Sequence, residues 1–213
     1  MRPEQTAILL IGFQNDYFAE DGILHSALED PGRVAAVRDR TVSLLSRLEP
    51  SPVTVVSTPI LFTEDYRELV DPVGILKTIK DVGAFRADRS GGETIPELRA
   101  FGGRIIEVPG KRGLNAFSNT SLMELLRELD IRDVVIAGVV TSICVDSTGR
   151  HASDVGFDVT ILSDCTAGRT IYEQDFYCRE IFPLYASVKS ADDLLSELGA
   201  AEWPTRALQS AAT

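Results

Sequence analysis

The sequence predicts an α/β fold: a three-layer α/β/α doubly wound domain with a six-stranded parallel sheet, spanning 1–213 as one unit. Three observations carry this expectation. Six short apolar runs recur along the chain. Each is apolar nearly throughout rather than alternating, as a strand covered on both faces must be. Helix-like stretches separate the runs, and right-handed crossovers turn that alternation into a parallel sheet with helices on both faces.

The runs are 7–11, 53–57, 104–108, 133–137, 158–162 and 184–188. Between the first two, 31–48 sets Val34, Val37, Val42, Leu44, Leu45 and Leu48 among charges. That is an amphipathic helix with Pro31 in its first turn, where no N–H is needed. Ser121-Leu122-Met123-Glu124 has the spacing of a capping box and opens a helix reaching about Asp130. Three further helices fall at 144–155, 170–180 and 190–198. The segment 59–97 has no clear period and is broken by Asp71-Pro72 and Arg89-Ser90-Gly91-Gly92. A stretch of this kind reads as a lid or a subunit contact. The tail 203–213 reads as a surface arm.

Composition narrows the function classes. The formal net charge is −11, and the longest basic run is Lys111-Arg112. Neither nucleic acid nor an anionic membrane surface suits such a chain. No stretch approaches the ~18 apolar residues of a membrane span. Cys144, Cys165 and Cys178 make no disulfide framework, which points to the reducing cytoplasm. His25 and His151 are far apart and no zinc-type spacing exists, so no metal is expected. Gly110-Lys111 lacks the rest of a phosphate loop, and Gly12 lacks the further glycines of a dinucleotide fingerprint, so no cofactor is expected either.

The chemistry concentrates in 134–148. An apolar strand ends in Gly138, and small and hydroxyl residues lead into Cys144 at the start of a helix-like segment. A strand-to-helix turn brings backbone N–H groups and the positive end of a helix dipole to the thiol, the setting of a nucleophilic cysteine. A small buried hydrophobe is the competing reading of Cys144. In doubly wound folds ligands bind beyond the carboxyl ends of the strands, where Gly12, Lys111 and Val139 emerge.

Three blocks resemble one family. They are Leu9-Leu10-Ile11-Gly12-Phe13-Gln14-Asn15-Asp16-Tyr17-Phe18, then Lys111-Arg112-Gly113-Leu114-Asn115-Ala116-Phe117, then 137–148 around Cys144. Together they resemble the isochorismatase-like cysteine hydrolases, which include nicotinamidases, carbamoylsarcosine amidases, maleamate amidases and isochorismatases. The resemblance implies Cys144 as nucleophile and Lys111 as the cation that favours its thiolate. It implies a non-proline cis peptide at Val139–Val140, with the N–H groups of Val140 and Cys144 as oxyanion hole. Tyr17 matches an aromatic that stacks on substrate. Gly12, Phe62, Phe117 and Val139 complete the substrate-facing set, with Phe117 packing beneath the site. The implied partners are a small-molecule substrate and further copies of the chain, as a dimer or tetramer through 59–97 and the helix after Thr170.

One departure qualifies the match. The family pattern Asp-x-Gln-x-Asp-Phe/Tyr places its acid–base carboxylate where this chain has Gly12. Such help is worth ~10²–10⁴-fold. Asp16, Glu64 or Asp65 could replace it, or the substrate could dispense with it. The expected activity is hydrolysis of a small amide or related C–N bond through a Cys144 acyl-enzyme with an atypical base. The alternatives are a non-catalytic ligand- or partner-binding protein and a vinyl-ether hydrolase of isochorismatase type. Members of the last kind keep the missing Asp. The metal-binding Asp-x-His-x-x-His cluster of nicotinamidases has no counterpart, because 57–63 contains no histidine.

Overall fold

In the computed structural model, which describes residues 1–200, six parallel strands form one sheet. They are β1 (Thr6–Ile11), β2 (Thr54–Ser57), β3 (Ile106–Glu107), β4 (Asp133–Val139), β5 (Asp158–Ala167) and β6 (Ser187–Lys189), in the order β3-β2-β1-β4-β5-β6. The helices are α1 (Asn15–Phe18), α2 (Pro31–Leu48), α3 (Gly74–Val82), α4 (Pro96–Arg99), α5 (Leu122–Glu128), α6 (Asp146–Asp154), α7 (Ile171–Phe176) and α8 (Ala191–Glu197).

Alternation of side chains along the strands divides the core into two layers. Ile8, Leu10 and Val55 face α2 and α8 through Leu44, Leu48 and Leu194. Leu9, Ile11, Val56 and Ile136 face α5 and α6 through Leu122, Leu126 and Ala152. Every residue of β1 is buried, which accounts for its unbroken apolar sequence. β1 pairs with β2 on one side and with β4 on the other, in register from Thr6↔Asp133 to Ile11↔Gly138. The chain therefore reverses its direction of winding between β1 and β4. That reversal opens a crevice above their carboxyl ends.

Several expected boundaries move. β5 runs past 162 to Ala167 because its polar residues bond locally: Ser163 Oγ donates to Lys189 O at 3.3 Å and Thr166 Oγ1 to Leu162 O at 2.9 Å. A register break after Ile136 then lets Gly138 pair with Thr166. β3 is shorter than 104–108, since Arg104 sits in a turn and its guanidinium donates to Leu48 O and Val53 O, the latter at 2.6 Å.

The expected capping box at Ser121 does not form. Ser121 has φ −88° and ψ 19° and makes no side-chain cap. The Thr120 hydroxyl accepts from Leu122 N at 3.3 Å instead. A full capping box appears on α8, between Ser190 and Asp193. α2 is capped by Asp30, which accepts from Arg33 N at 3.0 Å.

The segment 59–97 is less irregular than its sequence suggests, because it contains α3, closed by Gly83 at φ 78°. Residues 203–213, read as a surface arm, lie outside the described residues. Among the described residues no helix is long and apolar enough to cross a membrane.

Candidate active site

The carboxyl end of β4 supplies the first wall. The Val139–Val140 peptide is cis, and a π-helical turn, Thr141–Val145, leads directly into α6. Two side chains fix this turn to α7. Thr141 Oγ1 donates to Gln174 Oε1, and Ser142 Oγ to Glu173 Oε1, each at 2.5 Å. Glu173 also accepts from Arg169 N at 3.1 Å and Arg169 Nε at 2.8 Å. Burial pushes the Glu173 carboxyl up, but the bonds from Ser142 and Arg169 prevail and hold it below the usual carboxylate range. Cys144 rides on this anchored turn, half-buried.

The second wall comes from the chain after β3. Lys111 bridges to Ile60, and Ala116 N donates to Thr148 Oγ1 at 3.1 Å, which ties the lysine block to α6. Lys111 is only 2% exposed, and its Nζ lies 3.6 Å from Cys144 Sγ. Among the described residues no carboxylate forms an ion pair with it.

Gly12 closes β1 beside this pair. Its φ is +70°, and a Cβ there would stand 2.5 Å from Val139 O. Both the backbone conformation and the space reject a side chain. Gly138 pairs with Ile11 at similarly close range; a Cβ on it would meet Ile11 O at 1.8 Å.

The three carboxylates considered as substitutes for the missing one are committed elsewhere. Asp16 is buried, accepts from Phe85 N at 2.6 Å and lies against Gly91. Glu64 is exposed and pairs with Arg86 at 3.1 Å. Asp65 accepts from Thr63 Oγ1 at 2.7 Å and from Arg67 N.

Of the expected substrate-facing aromatics, Tyr17 is the one whose phenol is influenced by Cys144. Burial first, then the neighbouring Cys144 and Asp16, push its phenol far above the usual range, so it stays protonated. Its ring packs 5.2 Å from Phe85. Phe62 is fully buried, 5.4 Å from the Tyr66 ring, with its backbone bonded to Phe85 O and Ala87 N. It stiffens the segment behind the site. Phe117 stacks on His151 at 4.8 Å and on Phe157, under α6. Gly12, Val139, Val140, Lys111 and Cys144 are thus gathered at the strand ends, with Tyr17 alongside, while Phe62 and Phe117 serve the packing around them. Among the described residues no three His, Cys, Asp or Glu side chains converge as a metal site would require.

Gln14 organises the site although the sequence marks it only as part of a motif. Its carboxamide donates to Ile60 O at 2.9 Å and Gly92 O at 2.7 Å and accepts from Ile60 N at 3.0 Å. One side chain so fastens both ends of the segment carrying Phe62 and Phe85 to the end of β1. Its spacing from Asp16 within the first block was the available signal. The other two thiols have no such setting. Burial pushes Cys165 up to about 12 and Cys178 up to about 11.

Comparison with known proteins gives the family. The chain is 28% identical over 210 residues to the ureidoacrylate amidohydrolase of Cronobacter sakazakii, covering 91% of this chain and 90% of that protein. Its fold is similar to that of a cysteine hydrolase from Pseudomonas syringae pv. phaseolicola, with a TM-score of 0.82 at 19% identity over 94% of this chain and 95% of that one. It is also similar to the N-carbamoylsarcosine amidase of Thermoplasma acidophilum, with a TM-score of 0.69 at 20% identity over 90% and 98% of the two chains. Residues 6–193 match the isochorismatase domain, and the chain belongs to that family.

Proposed function

We propose that this protein hydrolyses a small amide or a related C–N bond through a thioester on Cys144. The observation that carries the reading is the pair at the crevice: a buried lysine whose Nζ is 3.6 Å from Cys144 Sγ. A cation within hydrogen-bonding reach of sulfur attracts the anion that attacks a carbonyl. The N–H groups of Val140 and Cys144 would receive the oxyanion, and Tyr17, Val139 and Gly12 would line the substrate. A cavity of about 560 Å³ bounded by Leu69, Arg112, Asn115 and Ser147 is of a size for a small molecule, although neither Lys111 nor Cys144 lines it. The reading draws on the names of the ureidoacrylate amidohydrolase and the carbamoylsarcosine amidase that the chain is similar to, both of which act between carbon and nitrogen.

A second reading, ligand binding without turnover, draws on Gly12 and on the lack of a carboxylate at Lys111 among the described residues. One experiment separates the two. The protein is treated at neutral pH with substoichiometric iodoacetamide and mapped by mass, then offered a panel of small amides and ureido acids. Cys165 and Cys178, pushed up to about 12 and about 11, remain thiols at that pH. Label is expected at Cys144 first, and turnover of at least one C–N compound is expected to vanish in Cys144→Ala. Equal labelling of all three cysteines, with no turnover, would leave the binding reading standing.

A further inference from the structure

With no carboxylate bonded to Lys111 or Cys144 among the described residues, some other group must carry protons if the bond is to break. We propose that Lys111 is the proton carrier, so that Cys144 and Lys111 form a complete catalytic dyad; this rests on Cys144 being the nucleophile.

The titratable groups around the pair have other partners among the described residues, Glu68 included, which accepts from Thr63 N and Thr63 Oγ1. Gly12 offers no side chain and admits none. Asp16 is bonded to Phe85 N, and Glu173 to Ser142 and Arg169. Tyr17 stays protonated and can donate a hydrogen bond but cannot serve as a base. The Lys111 side chain is buried, and among the described residues its hydrogen bond goes to the Cys144 sulfur. Its position therefore depends on the state of that sulfur, as a proton carrier's should.

The steps balance without a third group. From the ion pair, the sulfur lone pair attacks the carbonyl carbon, a C–S bond forms, and the carbonyl π pair moves to oxygen. When that pair returns, the C–N bond breaks and the departing nitrogen takes a proton from the Lys111 ammonium. The ammonium has by then lost its counter-ion to acylation. An isolated charge in a buried site is costly, so giving up the proton relieves that cost. Lys111 is now a neutral amine. It takes a proton from water as the water oxygen attacks the thioester carbon. Collapse of the second intermediate breaks the C–S bond and returns thiolate and ammonium to the starting pair. The products are the free amine and the carboxylic acid.

The test uses the full chain with p-nitrophenyl acetate, whose leaving group departs without a proton. Lys111→Arg keeps a cation beside the sulfur, but a guanidinium does not release its proton. The burst of nitrophenolate should stay within about tenfold of the wild type, while steady turnover falls by at least about 100-fold. Mass spectrometry should find acetyl accumulating on Cys144, stable in water and released by hydroxylamine. Turnover by Lys111→Arg within about threefold of the wild type would reduce Lys111 to a fixed charge and overturn the proposal, leaving the Cys144 reading intact. No acetyl on Cys144 in either the wild type or Lys111→Arg would overturn both. Should Lys111→Arg fail to fold by its melting curve, acylation of the wild type by a series of activated trifluoroacetanilides decides the matter. Rates nearly independent of leaving-group basicity support a proton donor, and the steep dependence of an unassisted thiolate excludes one.

Discussion

Gly12 stands where the resemblance would put a carboxylate, and the structure gives a local reason for a glycine there. At φ +70°, with Val139 O 2.5 Å from a would-be Cβ, an aspartate must both adopt a left-handed backbone and displace the peptide that precedes the nucleophile turn. Gly12→Asp is therefore expected to lower stability by about 1–3 kcal/mol, seen as a lower melting temperature. C–N bond turnover should fall, because the displaced Val139–Val140 peptide adjoins Cys144. A stable, more active Gly12→Asp would mean that the site had kept room for the carboxylate. The sequence alone shows a glycine at position 12 but not whether a side chain would fit there, since neither φ nor the approach of Val139 O is written in residue types.

The nucleophile turn and the helix that braces it form the next scale. Ser142 and Thr141 reach α7, and Glu173 gathers bonds from Ser142 and Arg169. A carboxylate held below its usual range stabilises the fold fully above its unfolded value of about 4.3, and loses that contribution as pH falls through the lowered value. The turn should therefore loosen only in acid. Glu173→Gln keeps the shape and removes the charge; it should cost about 1–3 kcal/mol and slow alkylation of Cys144 in parallel. Unchanged melting and unchanged thiol reactivity would show that the turn holds itself. The strands and α2 were legible because apolar content and spacing encode them. The brace was not. Glu173 and Ser142 are far apart in sequence, and their bond follows from how α7 packs against the π-helical turn. For the same reason Phe62 reads as a pocket residue, since an aromatic's sequence position does not say which side of it faces the crevice, whereas Phe117 reads as packing beneath the site. Phe117 has His151 and Phe157 against it, which leaves its ring to the packing.

For the molecule as a whole, apolar side chains gather on the surface after Thr170. Tyr172 is 77% exposed and stacked 5.9 Å from Phe176, and Leu184 is 76% exposed. Solvent-facing apolar clusters of this kind mark contacts between chains. We expect the protein to sediment as a dimer or tetramer, and the double variant Tyr172→Glu with Leu184→Glu to shift it toward monomer. A monomeric wild type would remove oligomerisation from the account. The winding order has a consequence for biogenesis. Of the six strands β1 is made before the others yet ends up in the middle, buried on both faces, and Thr6 cannot meet Asp133 until β2 and β3 have been synthesised. Until then a sticky, uncovered β-ribbon precursor must be kept from finding the same strand of a neighbouring nascent chain. Assembly should accordingly be slow and sensitive to concentration, and yield should rise when translation is slowed by cooling or when a holdase chaperone shields the amino terminus.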